Sequence, residues 1–133
     1  MIDWAAYPDF APEEFVCQGA CSECAGTADK MDPAILDKLQ AIRTRFGGPL
    51  VVTSGYRCPA HNEKVSSTGR DGPHVRGVAV DVKVAGKDAW EVLALATRLG
   101  VPRIGVQQRG AHESRFLHLD VMETPIAPWV WSY

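Results

Sequence analysis

Valine occupies every second position over residues 77–84, with Ala79, Asp81 and Lys83 between the valines. Strict alternation of this kind is typical of a β-strand with two different faces, so the sequence predicts a strand over 77–84. One face of that strand is entirely apolar. A carboxylate at Asp81, on the other face, fits such a strand only where that face lines a cleft.

The rest of the chain predicts two main helices and three further strands. A helix is expected over 33–46, with Asp32 as its N-cap, and another over 88–99, with Asp88 as its cap. A single short helix is expected over 12–16. The further strands are expected over 50–53, 104–107 and 116–121. The fold class predicted is therefore α+β, with two main helices on one face of a small, mostly antiparallel sheet.

Three segments carry no strong periodicity. Residues 1–31 are rich in turn formers and contain a cluster of cysteines, and residues 58–72 read as a long polar loop. The tail, 125–133, is expected to pack against the body. The four tryptophans are expected to be packing anchors rather than platforms for sugars, and they are Trp4, Trp90, Trp129 and Trp131.

Size and charge exclude several classes of protein. The chain has 133 residues, which predicts one domain over 1–133. Its 14 basic and 16 acidic side chains give a net charge of −2. The sequence contains no stripe of basic residues of the kind that binds nucleic acid. No apolar run reaches the roughly 20 residues of a membrane span. Because no signal peptide is visible, we expect the protein to be made in the cytoplasm. We also expect a monomer that does not insert into membranes.

Two histidines and a carboxylate suggest a metal site. If the strands that carry Asp81 and His118 pair, the two side chains meet on one face, and His74 reaches them from the preceding loop. Two imidazoles and one carboxylate make a three-ligand zinc site with an open fourth position, the arrangement of catalytic zinc. The same residues also fit a loop histidine, a core histidine and a turn carboxylate, and spacing alone does not decide between these readings.

Three motifs in order resemble one family. Ser54-Gly55-Tyr56-Arg57, then the pattern HxxGxAxD over 74–81, then the strand histidine His118 resemble the zinc D-alanyl-D-alanine carboxypeptidases and dipeptidases. That group includes the phage L-alanyl-D-glutamate endopeptidases and is related to the zinc fold of the hedgehog signalling domain. The similarity runs from about 32 to 120, and the ending Trp131-Ser132-Tyr133 is similar to small phage-encoded members.

The resemblance implies roles for several residues. It makes His74, Asp81 and His118 the zinc ligands, and Arg57 the cation that steadies negative charge on the substrate or the tetrahedral intermediate. One further role is that of the general base, which accepts a proton during hydrolysis. In the family, this residue often stands three positions before the last zinc ligand.

Three residues before His118, this chain has Arg115, which cannot accept a proton. Glu113 is therefore the expected base, with Asp120 and His112 as alternatives. Asp120 can instead orient an imidazole, because it shares the strand face of His118.

The cysteines are a separate question. Cys17, Cys21 and Cys24 are closely spaced, and Cys58 directly follows the Tyr56-Arg57 turn. Four thiolates could close a tetrahedral structural zinc site that ties the irregular N-terminal segment to this turn. One or two disulfides, with Cys58 in one of them, or free thiols are the alternatives, and the sequence leaves all three open.

The resemblance implies a zinc metallopeptidase that hydrolyses amide bonds in peptidoglycan stem peptides, as a carboxypeptidase or an endopeptidase. A phage lysin or a virion-borne enzyme would act in this way on the cell wall. One alternative is a catalytically inactive recognition module of the same zinc fold, which Arg115 at the usual base position favours. A small zinc-finger interaction protein is a weaker alternative, because the C-terminal motifs would then have no role.

Overall fold

A five-stranded sheet organises the computed structural model, which describes all 133 residues. The strands are Val51–Ser54 (β1), Ala79–Lys83 (β2), Arg103–Gln107 (β3), Phe116–Asp120 (β4) and Trp129–Ser132 (β5). Their order across the sheet is β1-β2-β4-β3-β5. All neighbouring strands are antiparallel except β3 and β5, which are parallel. The predicted α+β class with a mostly antiparallel sheet is confirmed.

Three α-helices accompany the sheet, at Pro33–Phe46 (α1), Pro59–Val65 (α2) and Gly86–Arg98 (α3). Helix α1 begins where the sequence predicts, because Asp32 accepts a hydrogen bond from the Ala34 backbone N–H. Helix α3 packs against α1 and against β4. All three helices, of which the longest has 14 residues, are too short and too polar to traverse a lipid bilayer.

The apolar core is formed by the inner side chains of α1 and α3, one face of the sheet and apolar residues of the N-terminal segment, and no residue of α2 belongs to it. Leu117 and Leu119 of β4 and Val80 and Val82 of β2 are all almost completely buried in it. Because successive side chains of a strand point to opposite faces, the residues between them belong to the other face. That other face is where Asp81 and His118 lie.

Two predictions about helices were wrong. The expected loop over 58–72 contains α2, whose N-cap is Cys58, with Pro59 at the first helical position. This helix is short and has no apolar stripe, so its sequence carries no helical periodicity. The second main helix begins earlier than expected, at Gly86, and Asp88 lies within its first turn rather than at its cap.

The N-terminal segment and the tail also contain short regular elements. The expected helix over 12–16 is a 3-10 turn, Pro12–Phe15. The tail packs against the body, as predicted, by adding β5 to the edge of the sheet. Two of the tryptophans predicted to be packing anchors are exposed instead, so the prediction is wrong for them. Trp90 on α3 is 72% exposed, and Trp129 on β5 is 47% exposed.

The strand register places one residue of each strand in a single row across the sheet. Ser54 is opposite Asp81, Asp81 opposite His118, His118 opposite Gly105, and Gly105 opposite Trp131. Side chains in such a row share one face and stand close to their neighbours. This row is the floor of the site described next.

Candidate metal centre and its cavity

Three side chains converge on one point at the centre of the row. His118 Nδ1 lies 3.0 Å from Asp81 Oδ1, and His74 Nε2 lies 3.3 Å from the same oxygen. All three residues are buried. Pairing of β2 with β4 places Asp81 and His118 opposite each other, and His74 follows α2 in the segment leading to β2. The structure therefore brings together the three residues that the sequence suggests as ligands.

The far nitrogen of each imidazole is held by an acceptor. His74 Nδ1 donates to the Gly55 carbonyl oxygen at 2.7 Å, and His118 Nε2 is 2.6 Å from Asp120 Oδ2. Protons on these far nitrogens leave a lone pair on the near nitrogen of each neutral ring. Two lone pairs and a carboxylate oxygen can then bind a metal ion together, whereas a proton on a near nitrogen makes that ring a hydrogen-bond donor to Asp81. Such outer partners are typical of metal-binding histidines, so the donor set fits a metal ion.

The charged groups at the centre shift each other's pKa values. Burial alone would raise the pKa of Asp81, but hydrogen bonds with His118 and His74 outweigh it and lower that pKa far below its ordinary value. Burial would lower the pKa of His118, yet its hydrogen bonds with Asp120 and Asp81 raise it. Asp81 is therefore ionised, as a metal ligand must be.

Arg57 is fixed beside the metal-binding carboxylate. Its guanidinium donates to Asp81 Oδ2 at 3.2 Å, to Ser54 Oγ at 3.0 Å and to Asn62 Oδ1 at 3.2 Å. Asn62 is itself buried and donates to the backbone carbonyls of Gly69 and Asp71. Helix α2, through Asn62, thus holds both Arg57 and the loop that follows the helix.

Asp120 occupies a second layer behind His118. It is completely buried, it accepts a hydrogen bond from Arg103 Nε at 2.9 Å, and its other oxygen faces His118. Arg103 also stacks over the Trp131 ring, 5.1 Å from its centroid. Asp120 can therefore orient the imidazole of His118, one of the two roles that the sequence leaves open.

A cavity of about 560 Å³ opens above the centre. This volume lies within the usual range for small-molecule and cofactor sites. His74, Asp81 and His118 line its base together with Arg57, while Ser66, Ser67 and Thr68 line one side. Other lining residues are Arg103, Phe116, Trp129, Trp131 and Tyr133.

The aromatic wall comes from the C-terminal strand. Trp131 lies against His118, with ring centroids 5.2 Å apart, and Tyr133 lies 5.3 Å from Phe116. Gly105 makes room for this wall, because a Cβ there would stand 2.8 Å from the Trp131 ring. Burial and the Asp81 charge raise the pKa of Tyr133, so its phenol remains protonated.

The structure does not bring the expected general base to the cavity. Glu113 lies on an exposed 3-10 turn, His112–Ser114, where it makes no hydrogen bond or ion pair and does not line the cavity. His112 is exposed on the same turn. Arg115 lines a different, shallow depression beside Trp90 of α3.

The four cysteines form a second cluster, in which the four sulfurs lie within 4.8 Å of one another. Cys21 and Cys24 are joined as a disulfide, and Cys17 and Cys58 are buried free thiols. The alternative of a disulfide that includes Cys58 is therefore not what the structure shows.

Sequence reasoning missed several residues of the site. Asn62 lies in a segment read as a loop, so its buried position has no signal in the sequence. Arg103 carries no motif. Trp131 could have been recognised, since a glycine inside a strand such as Gly105 often marks the close approach of another group.

Comparison with known proteins places the chain in a family. No curated protein and no solved structure matches it. A family model described as Peptidase M15 matches residues 8–120, which include all three motifs and the three converging side chains. This match confirms the resemblance that the motifs indicate. The chain therefore belongs to the Peptidase M15 family, the zinc-dependent peptidases.

Proposed function

We propose that this protein is a zinc peptidase that hydrolyses amide bonds in the stem peptides of bacterial peptidoglycan. The observation that carries the proposal is the convergence of His74, Asp81 and His118 at the base of an open cavity. Three protein ligands leave one coordination position for reactants, as in catalytic zinc sites.

The three residues would hold the ion through His74 Nε2, Asp81 Oδ1 and His118 Nδ1, because these atoms face one another. When bound there, the ion would polarise a substrate carbonyl and lower the pKa of a water molecule. The protein supplies rigid positioning. Gly55 fixes one imidazole and Asp120 the other, so neither ring has to turn when the ligand set is completed.

Arg57 binds negative charge on the substrate in this proposal. Three of its five N–H groups have partners in the protein, which leaves two for a ligand in the cavity that Arg57 lines. A guanidinium can hold a carboxylate or a developing oxyanion with two parallel hydrogen bonds. The other three bonds keep the group in place before substrate arrives.

The charge balance of the cavity favours an anionic substrate. Asp81, the one acidic residue that lines the cavity, is matched by Arg57, and Arg103 is matched by Asp120, which lies behind the lining. A divalent ion therefore adds positive charge that no side chain cancels. Stem peptides carry free carboxylates, and the aromatic wall of Trp131 and Tyr133 offers apolar surface to their short side chains.

Glu113 remains our proposed general base, on the strength of the family resemblance. It would take a proton from the attacking water and return it to the leaving amine. The cavity lining offers no substitute, since its one carboxylate is the ligand Asp81. Glu113 would have to approach the cavity when substrate is bound.

We further propose that the enzyme acts on the cell wall, as a phage lysin or a virion-borne hydrolase. The support is the similarity of the motifs and of the C-terminal Trp131-Ser132-Tyr133 to small phage-encoded peptidases. The proposal covers both D-alanyl-D-alanine cleavage and an endopeptidase reaction, and digestion products tell them apart.

The test is digestion of purified peptidoglycan, with the products identified by mass spectrometry. We expect new amino and carboxyl termini in the stem peptides, loss of activity on chelation and recovery with zinc. Hydrolysis that is indifferent to a strong chelator would contradict the proposal.

A binding module of the same fold is the second candidate, and the exposed position of Glu113 favours it. Glu113→Gln separates the two, with the exposed Glu123→Gln as a matched control. A peptidase that uses Glu113 loses most of its turnover only in the first variant and keeps its metal. If wild type binds stem peptides but cleaves none of them, the protein is a binding module.

A further inference from the structure

The N-terminal segment carries a cluster of sulfur atoms that the proposed peptidase reaction does not use. Cys17, Cys21 and Cys24 come from this segment, and Cys58 is the N-cap of α2. Cys17, Cys24 and Cys58 are buried, and Cys21 is partly buried. We propose that these four residues bind a second zinc ion, with a structural role.

A disulfide accounts for only part of this arrangement. It joins Cys21 to Cys24, yet Cys58 Sγ also lies 2.7 Å from Cys21 Sγ, and Cys17 Sγ lies 3.3 Å from Cys24 Sγ. A disulfide between two cysteines gives the other two sulfurs no reason to approach it. A common ligand at the centre explains why all four come together.

The sulfurs are packed slightly more closely than the ligands of tetrahedral zinc. Zinc–sulfur bonds of about 2.3 Å place neighbouring sulfurs about 3.8 Å apart. The contacts of 2.7 and 3.3 Å are shorter than this edge, and no pair of the four sulfurs exceeds 4.8 Å. A small outward movement of the sulfurs therefore makes room for the ion.

The surroundings supply hydrogen bonds that thiolates need. The backbone N–H of Cys58 donates to Cys17 Sγ at 3.3 Å, and that of His61 donates to Cys58 Sγ at 3.4 Å. The turn between Cys17 and Cys21 is closely packed on α2, because a Cβ at Gly19 would stand 2.8 Å from the His61 side chain. Two separate parts of the chain are thus already docked around the cluster.

Binding requires the reduced form of the protein. Two electrons from a thiol or phosphine reductant, with two protons from the thiol or from water, convert the Cys21–Cys24 disulfide to two thiols while the reductant is oxidised to its disulfide or phosphine oxide. The four thiols then release four protons as they bind Zn²⁺ as thiolates.

The cluster lies where a bound zinc ion would stabilise the cavity. Cys58 follows Arg57 directly and caps α2, the helix whose Asn62 holds Arg57 and the cavity loop. An ion bound to Cys58 would therefore fix both the N-terminal segment and the start of the helix that shapes the cavity.

The experiment is metal titration of the reduced, full-length protein with Co²⁺ and Zn²⁺, after removal of bound metal. His74→Ala/His118→Ala removes the proposed catalytic site but leaves the cysteines. We expect two metal ions per chain in wild type and one in this double variant. The ion retained by the double variant should give intense thiolate-to-cobalt charge-transfer absorption in the near ultraviolet.

Alkylation provides a second readout that needs no cysteine variant to fold. Iodoacetamide should modify four cysteines in the reduced, metal-free protein and few or none after zinc is added. No metal bound by the double variant, or equal alkylation with and without zinc, would overturn the proposal. Either result would leave the catalytic site untouched, since wild type would still bind one ion without thiolate absorption.

Discussion

The Gly55 carbonyl oxygen accepts a hydrogen bond of 2.7 Å from His74 Nδ1, which joins the Ser-Gly-Tyr-Arg turn to the first candidate metal ligand. The turn is bound to the same segment a second time, because the Arg57 backbone N–H donates to the His74 carbonyl oxygen at 3.2 Å. Two motifs that are separate in the sequence therefore form one unit. It sets the tautomer of His74 and places the Arg57 guanidinium beside the metal centre.

Substitution of Gly55 tests the packing under this turn. In Gly55→Ala the new Cβ would lie 2.7 Å from Phe15 Cα and 2.9 Å from the Phe15 carbonyl oxygen, so the turn must shift. We expect a loss of about 1–3 kcal/mol in the free energy of unfolding, together with weaker metal binding. Urea denaturation measures the first effect.

Gly48→Ala is the matched control for this experiment. A Cβ at Gly48 contacts only the Phe46 ring, at 3.6 Å or more. Its effect should stay within about 0.5 kcal/mol. Equal stability of the two variants would show that the contact between the turn and Phe15 is not close.

Substitution of Arg57 tests the role of the N–H groups of its guanidinium. Arg57→Lys keeps the charge but loses the planar group whose N–H groups reach three partners in the protein and leave two free for substrate. We expect hydrolysis measured as kcat/KM to fall by roughly 10- to 1000-fold, with the zinc content unchanged. Arg70→Lys is the control, since Arg70 pairs only with the exposed Glu63. Full activity in Arg57→Lys would remove the proposed role of the guanidinium.

Asp120 should control the affinity of the centre for metal. Asp120→Asn replaces the carboxylate that lies 2.6 Å from His118 Nε2 with a neutral amide. Such a change in an outer partner weakens metal binding by about 10- to 100-fold. Competition with a chromophoric chelator measures this, with Asp71→Asn as an exposed control. An unchanged affinity would mean that Asp120 does not orient the imidazole.

Tyr7 makes stability depend on pH in the alkaline range. Burial, followed by the hydrogen bond to Asp37 at 2.8 Å, raises the pKa of Tyr7 to about 12 from an ordinary value of 10.0. The unfolded chain loses this proton at lower pH than the folded chain does. Stability is therefore fully present below about pH 10 and falls as pH rises towards 12.

Tyr7→Phe isolates this effect. Below pH 10 the variant should be less stable by about 1 kcal/mol, the contribution of one hydrogen bond. Between pH 10 and 12 wild type should lose stability relative to the variant by an amount on the order of 1–3 kcal/mol, so that the difference disappears or changes sign. Urea denaturation across this range provides the measurement, and a constant difference would contradict the raised pKa.

The strands that build the centre were predictable because their side chains alternate. Valines on one side of β2 and leucines on one side of β4 leave Asp81 and His118 on the opposite face, and the register then sets them opposite each other. Such periodicity reports burial directly. Helix α1 was predictable for a similar reason, since Asp32 and Gly47 mark its ends.

The parts that were not predictable depend on contacts between distant segments. Helix α2 is stabilised by Cys58 at its start and by the buried Asn62, and neither gives a helical pattern. The aromatic wall depends on β5 pairing in parallel with β3, and a strand edge has no signature in the sequence. The position of Glu113 likewise depends on the turn before β4 rather than on its distance along the chain from His118.

The central claim is that His74, Asp81 and His118 bind one zinc ion. An anomalous difference map from a crystal of the zinc-loaded protein, recorded at the zinc absorption edge, tests it most directly. The account predicts a peak within bonding distance of His74 Nε2, Asp81 Oδ1 and His118 Nδ1, which is about 2.0–2.2 Å. A well-ordered map with no peak among these three atoms would contradict it.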